Sequence, residues 1–492
     1  MEDENMLIKD RKQNLENLRK AGVNPYPYKF SPTARCNDIK EKYAHLNPGD
    51  KTEDTYSVAG RITSIRHMGK VMFFDVEDLS GKVQLFFREN DLGADKYKVL
   101  SYIDLGDILG ASGHAFKTKT GEVSIFVEAY DLLCKAIRPL PDQYYGLKDP
   151  ELRYRQRSID LIMNSDVREV FIKRTKAIKA MREFLDSKGY IEVETPLLQP
   201  IYGGANARPF VTKINALNMP LYLSISPELY LKRLIVGGLE KVYTISKNFR
   251  NEGIDKSHNP EFTMMESYEA YADYNDMMKL TEDMYEYIFT KVLGTTKVKY
   301  LDVELDFKAP WKRVKMYDAV KKYTGIDVEH MNREDIATAI EEKGFDGQIE
   351  LKKKSKGELV LELFEAFCEE HMIQPTFVID HPFESTPLCK VHRENPELIE
   401  RFEPFVYGME IGNAYSELND PHVQRKLLEG QERCRVEGDE EAHPFDEDFL
   451  QAIEYGMPVT GGLGLGVDRL IMLLTNSKSI RDVIFFPFMK KN

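Results

Sequence analysis

The chain has 492 residues, of which 42% are hydrophobic, so it is too long for one ordinary domain and can bury substantial cores. Charged residues make up 30% of the chain and include both signs, which argues against wholesale disorder. A formal net charge of −13 disfavours nucleic acid as a partner but does not exclude it, because a large acidic protein can carry one basic face.

The cysteines and the first residues indicate a location for the protein. The five cysteines are scattered and form no Cys-x-x-Cys pair, which is typical of a reducing compartment and predicts neither a zinc clip nor a redox pair. Residues 1–10 lack an apolar run after basic residues, and no stretch approaches the roughly 18 apolar residues of a membrane helix. We therefore expect a cytoplasmic protein without a membrane segment.

Residues 1–54 predict a short helix over residues 7–22, ended by Gly22, and then an extended linker. Residues 55–140 differ, because short apolar runs separated by glycines predict a small β-barrel. The runs cover residues 56–65, 71–76, 83–87, 108–116 and 123–133. Five strands fit an OB-fold, a common nucleic-acid module, although an SH3-like barrel would give a similar pattern.

A second linker is expected at 141–160, followed by a larger domain over 161–492. Its first clear element is an amphipathic helix over residues 166–188. Ser226 and Pro227 predict the start of another helix, as N-cap and first helical residue. Residues 310–370 mix helical patterns with runs of Lys and Glu, which predicts a solvated helical insertion.

A predicted hairpin over residues 248–268 combines charged groups with an aromatic ring. The two-residue period of a strand places Phe262, Glu266 and Tyr268 on one face, and Arg250 and Glu252 would share a face of the preceding strand. Such a face is unfavourable in a dry core. It fits a pocket for a nucleotide and a small cation, because arginine can bind phosphate or carboxylate through two hydrogen bonds. The alternative is a half-exposed surface strand.

A second predicted hairpin lies within residues 400–417, where Tyr407 and Gly408 form a two-residue turn. Glu403 and Glu410 then become neighbours on one face of the hairpin. Two such carboxylates repel each other unless a cation lies between them, and Mg²⁺ prefers carboxylate and phosphate oxygens. The alternative, a helical repeat of solvated glutamates, is disfavoured by the glycines of the segment.

The segment 461–466 is rich in glycine and predicts a turn that lets a ligand approach the backbone, ahead of a helix whose N-terminus favours a phosphate. It has neither the Gly-x-Gly-x-x-Gly spacing of a dinucleotide site nor the Gly-Lys-Ser/Thr of a P-loop. Arg469, on the first turn of that apolar helix, is expected to face a phosphate. An arginine whose stem packs and whose head reaches solvent is the alternative.

Together these segments resemble the three signature motifs of class II aminoacyl-tRNA synthetases, and they are most similar to the lysine-specific family. The motifs are Arg250-Asn-Glu252-Gly, His258-Asn-Pro-Glu-Phe-Thr, Glu266-x-Tyr268, Glu410-Ile-Gly-Asn413 and Gly464-Leu-Gly466-Val-Asp-Arg469. The resemblance implies an α+β fold, with an N-terminal OB-fold β-barrel and a catalytic domain built on an antiparallel sheet flanked by helices. It also implies a homodimer, since residues 189–196 match a motif that usually lies at the subunit interface.

The resemblance implies ATP and L-lysine as substrates and Mg²⁺ as cofactor. Arg250 and Arg469 are the implied catalytic residues, and Phe262 is expected to stack on adenine. The implied ATP-binding residues are Arg250, Glu252, His258, Asn259, Phe262, Glu410, Ile411, Asn413, Gly466 and Arg469. The implied Mg²⁺ ligands are Glu403 and Glu410.

For lysine, Glu228 matches the acceptor of the α-ammonium, while Glu417 and Tyr268 match the acceptors of the ε-ammonium. The implied lysine-binding residues are Gly204, Glu228, Arg250, Glu266, Tyr268, Asn413 and Glu417. An aspartate or asparagine enzyme would need a basic group in this pocket, and positions 228 and 417 carry none. Thr386 and Cys389 depart from the family's pattern, but both are small, so we expect little effect on the pocket.

In the barrel, Phe73 and Gln84 match positions that contact the central anticodon uridine of tRNA(Lys), and Arg61 is expected at the same loop. Phe73 could instead belong to the barrel core and exchange roles with Phe74. The chain lacks a basic N-terminal arm, so we expect modest, salt-sensitive tRNA binding.

The implied reaction joins lysine to the α-phosphate of ATP with release of pyrophosphate, and then transfers lysine to the 3′ end of the tRNA. Three other functions compete with it. A paralogue that lysylates proteins is disfavoured by the barrel, and an aspartyl or asparaginyl enzyme is disfavoured by Glu417 and Tyr268. A non-enzymatic RNA-binding protein on a dead scaffold is disfavoured because the arginines and the Mg²⁺ ligands are present.

Overall fold

The computed structural model describes residues 6–141, 147–345, 347–349, 351 and 354–490. They form two units, which part between Lys148 and Asp149. Four predicted segments therefore lie partly outside the described residues: the N-terminal segment at 1–5, the linker at 142–146, the insertion at 346, 350 and 352–353, and the end of the larger domain at 491–492. Among the described residues, none of the helices combines the length and the apolar character needed to cross a bilayer.

The first unit contains a closed five-stranded barrel with the strand order β1-β2-β3-β5-β4. Its elements are α1 (Met6–Lys20), α2 (Cys36–Lys42), β1 (Lys51–Met68), β2 (Val71–Glu77), β3 (Lys82–Arg88), α3 (Glu89–Leu92), α4 (Ala94–Val99), a 3-10 helix (Leu100–Tyr102), β4 (Ile108–Lys117) and β5 (Val123–Cys134). Alternate residues of β2 and β3 are buried, and Phe74, Leu85 and Phe87 are fully enclosed. The five predicted strands are confirmed.

The second unit is built on a large sheet with helices packed against it. Its first elements are α5 (Pro150–Arg155), α6 (Arg157–Met163), α7 (Ser165–Ser187), β6 (Ile191–Glu192), β7 (Leu198–Gln199), β8 (Val211–Ile214), β9 (Met219–Leu223), α8 (Glu228–Val236), β10 (Lys241–Phe249), β11 (Glu261–Ala270), α9 (Tyr274–Leu293), β12 (Lys297–Tyr300), β13 (Val303–Asp306) and β14 (Lys312–Lys315). They are followed by α10 (Met316–Thr324), a 3-10 helix (Val328–His330), α11 (Arg333–Glu342), α12 (Lys356–Phe367), a 3-10 helix (Glu369–His371), β15 (Thr376–Pro382), a 3-10 helix (Phe383–Ser385), β16 (Leu398–Val406), β17 (Met409–Glu410), β18 (Gly412–Ser416), α13 (Pro421–Val436), α14 (Glu447–Glu454), β19 (Thr460–Gly466), α15 (Val467–Thr475) and α16 (Ile480–Val483).

The strand order of the large sheet is β14-β15-β16-β18-β19-β11-β10-β6, and β17 pairs with β16. All neighbours are antiparallel except the two outermost pairs, β14 with β15 and β10 with β6. Apolar residues of α7, α9 and α15 form the main core together with the central strands. This arrangement confirms the predicted α+β fold.

Three local predictions are corrected by the structure. Residues 461–466 form a strand, not a turn, because they pair with both β11 and β18. Arg250 and Glu252 lie in a loop after β10, because Pro260 stands opposite Arg250 and has no N–H to continue the ladder. Helix α8 begins at Glu228, one residue later than predicted.

The predicted insertion 310–370 is packed as well as solvated. It contributes β14 to the edge of the sheet, and α10, α11 and α12 enclose an apolar cluster of their own. The predicted linker contains α5 and the start of α6, two helices too short to give a clear period. The predicted turn at Tyr407 and Gly408 is confirmed, since both residues have positive φ and Val406 pairs with Met409.

Candidate active site

A cavity of about 350 Å³ lies on the large sheet, over β11, β18 and β19. The glycines of β19 make room for it. Gly462 and Gly464 stand directly opposite Tyr268 and Glu266 of β11, and the two-residue period of the strand places both glycines and Gly466 on one face. Side chains at these three positions would fill the space above the sheet.

All the residues that the sequence predicts for the catalytic domain line this cavity. They are Gly204, Glu228, Arg250, Glu252, His258, Asn259, Phe262, Glu266, Tyr268, Glu403, Glu410, Ile411, Asn413, Glu417, Gly466 and Arg469. The sheet and its loops therefore bring together side chains that are more than 260 positions apart in the sequence.

One end of the cavity carries two arginines and an aromatic ring. The guanidinium of Arg250 lies 5.2 Å from the centre of the Phe262 ring. Arg469, on the first turn of α15, donates a hydrogen bond to the backbone carbonyl of Glu410, and its guanidinium lies 3.6 Å from the Glu410 carboxylate. His258 lies 3.5 Å from the same guanidinium. A flat ring beside two cations can receive a base and its phosphates.

Two of the residues predicted to bind ATP lie at the margin of the cavity or in contact with its loops. The side-chain amide of Asn259 donates to the carbonyl of Glu261 at 2.6 Å and accepts from the N–H of Phe488 at 3.3 Å. Asn259 therefore shapes the loop that ends at β11. Glu252 is exposed at the rim of the cavity.

The other end of the cavity is acidic and buried. Glu228, Glu266 and Glu417 are each less than 5% exposed. Ser226 donates a hydrogen bond to Glu266 at 2.9 Å, and the hydroxyl of Tyr268 donates to the second oxygen of Glu266 at 3.3 Å. Oε1 of Glu417 has no hydrogen-bond partner in the described part of the chain. This end can accept cationic groups.

Burial raises the pKa of Glu266 to about 8, and the charge of Glu228 raises it as well. Burial also raises the pKa of Glu417 to about 8, although the ammonium of Lys232 opposes the shift. The pKa of Glu228 is raised for the same reason. A ligand ammonium would stabilise the ionised form of each of these groups.

Lys232 belongs to this end and was missed by the sequence analysis. Its side chain is fully buried, and its ammonium lies 2.6 Å from Oε1 of Glu228 and forms an ion pair with Glu417. The four-residue spacing of Glu228 and Lys232 on a helix was a signal that could have found the pair. His443 also lines the cavity, and burial together with the Lys232 charge lowers the pKa of its imidazole to about 4.

Two glycines allow close approaches around the acidic end. Gly204 has φ +87°, and a Cβ there would lie 2.7 Å from the hydroxyl oxygen of Ser226. A Cβ on Gly462 would overlap Oε1 of Glu417 at 1.9 Å and contact the Tyr268 ring at 2.6 Å. Gly462 therefore lets the side chains of Glu417 and Tyr268 approach the floor of the cavity, and the predicted approach of a ligand to these glycines stays a prediction.

Glu403 and Glu410 lie at the arginine end, where neighbouring carboxylates repel one another. Glu403 pairs with Arg401. Burial and the Glu403 charge raise the pKa of Glu410, and burial with three neighbouring carboxylates raises the pKa of Glu369 to about 8. Among the described residues there is no group of three or more protein side chains arranged to hold a metal. Two carboxylates fit Mg²⁺, because this ion is usually held by one or two carboxylates together with substrate phosphates.

Arg401 is a second residue that the sequence analysis missed. It donates to the side-chain oxygen of Asn413 at 3.0 Å and to the carbonyl of Ser385 at 3.3 Å. Arg401 stands two residues before Glu403 on β16, so the two side chains lie on the same face of the strand. Arg401 thus orients both a predicted metal ligand and Asn413.

In the barrel, Phe73 is half-buried on the outer face of β2, whereas Phe74 is fully buried in the core. Gln84 stands opposite Asp75, which makes Gln84 and Phe73 diagonal neighbours. Arg61 pairs with Glu77, so it lies four residues, or roughly 13 Å, along the sheet from Phe73. The structure brings together Phe73 and Gln84 but leaves Arg61 apart from them, where it donates to the carbonyl of Gly106.

Comparison with known proteins gives two family matches. Residues 149–490 match the family described as "tRNA synthetases class II (D, K and N)", and residues 56–133 match the "OB-fold nucleic acid binding domain" family. The chain is 54% identical over 488 residues to a lysine–tRNA ligase of Clostridium novyi, which covers 99% of this chain and 95% of the relative. It is 55% identical over 491 residues to a lysine–tRNA ligase of Clostridium kluyveri, which covers 99% of this chain and 97% of the relative.

Proposed function

Since the chain belongs to the lysine–tRNA ligases, a family of class II aminoacyl-tRNA synthetases, we propose that it activates L-lysine with ATP and transfers it to tRNA(Lys). The observation that carries this proposal is one cavity with two unlike ends. Arg250 and Phe262 stand at one end, and the buried carboxylates of Glu228 and Glu417 stand at the other. Such a cavity can hold a nucleotide beside an amino acid with two ammonium groups.

In the first step, the carboxylate of lysine attacks the α-phosphate of ATP and pyrophosphate leaves. We assign Arg250 to the α-phosphate and the lysine carboxylate, Phe262 to the adenine ring, and Arg469 to the terminal phosphate and the other face of the adenine. These side chains position the reactants and balance the charge that develops on the phosphorus oxygens. No side-chain nucleophile is needed, because the substrate carboxylate is the nucleophile.

We propose that the acidic end of the cavity determines the specificity for lysine. Glu228, with the carbonyl of Gly204, accepts from the α-ammonium, while Glu417 and Tyr268 accept from the ε-ammonium. The Oε1 atom of Glu417 supports this assignment, since it is buried and has no hydrogen-bond partner among the described residues. An amino acid without an ε-ammonium would leave that carboxylate desolvated and unpaired, which strongly disfavours its binding.

The Mg²⁺ ions are proposed to be held by Glu403 and Glu410. When bound, Mg²⁺ would neutralise charge on the phosphate oxygens of ATP. Arg401 holds Glu403 on the cavity face. The position of Glu410 is supported by the turn at 407–408, which sets it opposite Phe405 and beside Glu403.

In the second step, the terminal ribose hydroxyl of the tRNA attacks the lysyl-adenylate and AMP leaves. We propose that the barrel binds the anticodon, with Phe73 stacking on a base and Gln84 forming hydrogen bonds next to it. Arg61 is proposed to contact a more distant part of the same loop. We also propose a cytoplasmic location, which the five scattered cysteines without a Cys-x-x-Cys pair support.

A homodimer is proposed from the exposed apolar side chains of residues 191–217. Ile191, Leu197, Leu198, Val211 and Leu217 are between 41% and 67% exposed. Apolar side chains grouped in one part of a surface are typical of an interface between subunits. Light scattering should give twice the 56.9 kDa mass of the chain, and a monomer at micromolar concentration would contradict the proposal.

Acylation of tRNA tests the proposed function. A tRNA transcript with the lysine anticodon should accept lysine in the presence of ATP and Mg²⁺. A transcript with its central anticodon uridine replaced should accept lysine more slowly. A chain that forms lysyl-adenylate but acylates neither transcript would favour the protein-lysylating alternative.

A further inference from the structure

Lys232 places a charged group against the carboxylates of the acidic end, where no solvent reaches it. Its side chain is fully buried, and Nζ lies 2.6 Å from Oε1 of Glu228. The same ammonium forms an ion pair with Oε2 of Glu417. One protein ammonium therefore joins the two carboxylates that we assign to the two ammonium groups of lysine.

The electrostatic surroundings keep this ammonium protonated. Burial alone would lower the pKa of Lys232, but the charges of Glu228 and Glu417 raise it above its usual value. His443 lies close enough for the Lys232 charge to lower the pKa of its imidazole. His443 is therefore neutral and adds no second cation.

The two carboxylate oxygens of Glu417 have different neighbours. Oε2 forms the ion pair with Lys232, whereas Oε1 lies against Gly462 and has no cation beside it among the described ion pairs. Neither oxygen accepts a hydrogen bond of regular geometry in the described part of the chain. Without Lys232, Glu228 and Glu417 would be two buried carboxylates with no counter-ion between them. Removing one partner of a buried ion pair leaves an uncompensated charge, which forces protonation or movement of the other.

We propose that Lys232 is a positioning residue that determines specificity: it favours the ionised forms of Glu228 and Glu417 and turns the second oxygen of Glu417 toward the substrate's ε-ammonium. This inference rests on the proposed function. Lys232 does not touch the reacting atoms. It acts through the two carboxylates, and so its removal should affect lysine binding far more than ATP binding.

The variant Lys232→Met tests the proposal, because methionine keeps much of the apolar stem and removes the charge. Lysine-dependent exchange of pyrophosphate into ATP should show a KM for lysine raised at least about tenfold, as expected for a lost hydrogen bond to a charged group. The KM for ATP should stay within about twofold of wild type. Equal increases in both KM values, or an unchanged KM for lysine, would overturn the proposal.

Arg233→Met is the matched control. Arg233 is the next residue on α8, and its guanidinium pairs with Asp446 at 2.9 Å outside the cavity lining. This change also removes a charge from the helix, but it should leave the KM for lysine unchanged. A similar loss of lysine affinity in both variants would mean that a general disturbance of α8, and not the loss of the Lys232 ammonium, causes the effect.

Lys232→Met alone could prevent folding, because it leaves two buried carboxylates uncompensated. The double variant Glu228→Gln/Lys232→Met leaves only one buried carboxylate, Glu417, without a counter-ion. Its KM for lysine is compared with that of the single variant Glu228→Gln. The double variant should have the higher KM for lysine, again by about tenfold, since Glu417 has lost its counter-ion; equal KM values would overturn the proposal. If the wild-type protein shows no lysine-dependent exchange, the proposed function itself fails. Wild-type exchange with unaffected variants would refute only the role of Lys232.

Discussion

The guanidinium of Arg250 lies 5.2 Å from the centre of the Phe262 ring, at the point where the hairpin of β10 and β11 opens. The hairpin fixes this pair, because the backbone N–H of Arg250 donates to the carbonyl of Pro260 at 3.0 Å. Arg250 therefore leaves the strand at a defined place and points its charge along the ring that would carry the base.

Arg250→Ala should abolish lysine-dependent pyrophosphate exchange while leaving the fold intact. Loss of one group that stabilises developing charge typically costs roughly 10²–10³-fold in rate, and Arg250 is assigned to two substrate groups. Thermal unfolding should be close to that of wild type, since Arg250 is not in the core. Exchange at a rate near wild type in this variant would contradict its role.

Phe73→Ala should leave pyrophosphate exchange unchanged but slow the acylation of tRNA. Stacking of a base on an aromatic side chain contributes about 1–3 kcal/mol, or roughly 5- to 150-fold in kcat/KM for tRNA. Phe74→Ala serves as the contrasting neighbour, because Phe74 is fully buried and its loss should cost the barrel about 3–5 kcal/mol of stability. Equal losses of exchange and acylation in Phe73→Ala would argue against an anticodon contact.

The KM for lysine should fall as pH rises from 6 to 8. Burial raises the pKa of both Glu266 and Glu417 to about 8, so at pH 6 these groups hold protons that an incoming ammonium must displace. Because lysine binding favours the ionised form, affinity is weakest at low pH and levels off above the pKa, changing by up to about tenfold per pH unit for each group. The KM for ATP is measured at the same pH values as the control for pH effects that arise outside the acidic end. A constant KM for lysine over this range would contradict the role of these carboxylates.

Glu410→Gln should raise the Mg²⁺ concentration that gives half-maximal exchange. The neutral amide is a weaker ligand for a hard cation, and changes even to the partners of metal ligands cost roughly 10–100-fold in affinity. Excess Mg²⁺ should restore part of the rate. Glu394→Gln is the control, since Glu394 is exposed and outside the cavity lining. An unchanged Mg²⁺ requirement in Glu410→Gln would contradict the assignment.

The barrel and the two hairpins could be predicted because local patterns determine them. Alternating burial marks β2 and β3, and the left-handed turn of Tyr407 and Gly408 fixes the register that sets Phe405 opposite Glu410. These features need only neighbours in sequence.

The partners of the acidic end could not be predicted in the same way. Lys232 meets Glu417 across 185 positions, and Ser226 meets Glu266 across 40. A run of glycines also does not show by itself whether it forms a turn or a strand. Gly462 and Gly464 belong to a strand, and one face of that strand carries no side chains at these positions. Such contacts depend on the order of strands in the sheet, which local periodicity does not contain.

The most direct test of the account is amino-acid-dependent exchange of radiolabelled pyrophosphate into ATP, measured with lysine, aspartate and asparagine at equal concentrations. We predict exchange with lysine and none above background with the other two, because the end of the cavity that we assign to the amino acid is lined by the carboxylates of Glu228, Glu266 and Glu417. Exchange supported equally well by aspartate or asparagine, or no exchange with lysine, would contradict the account.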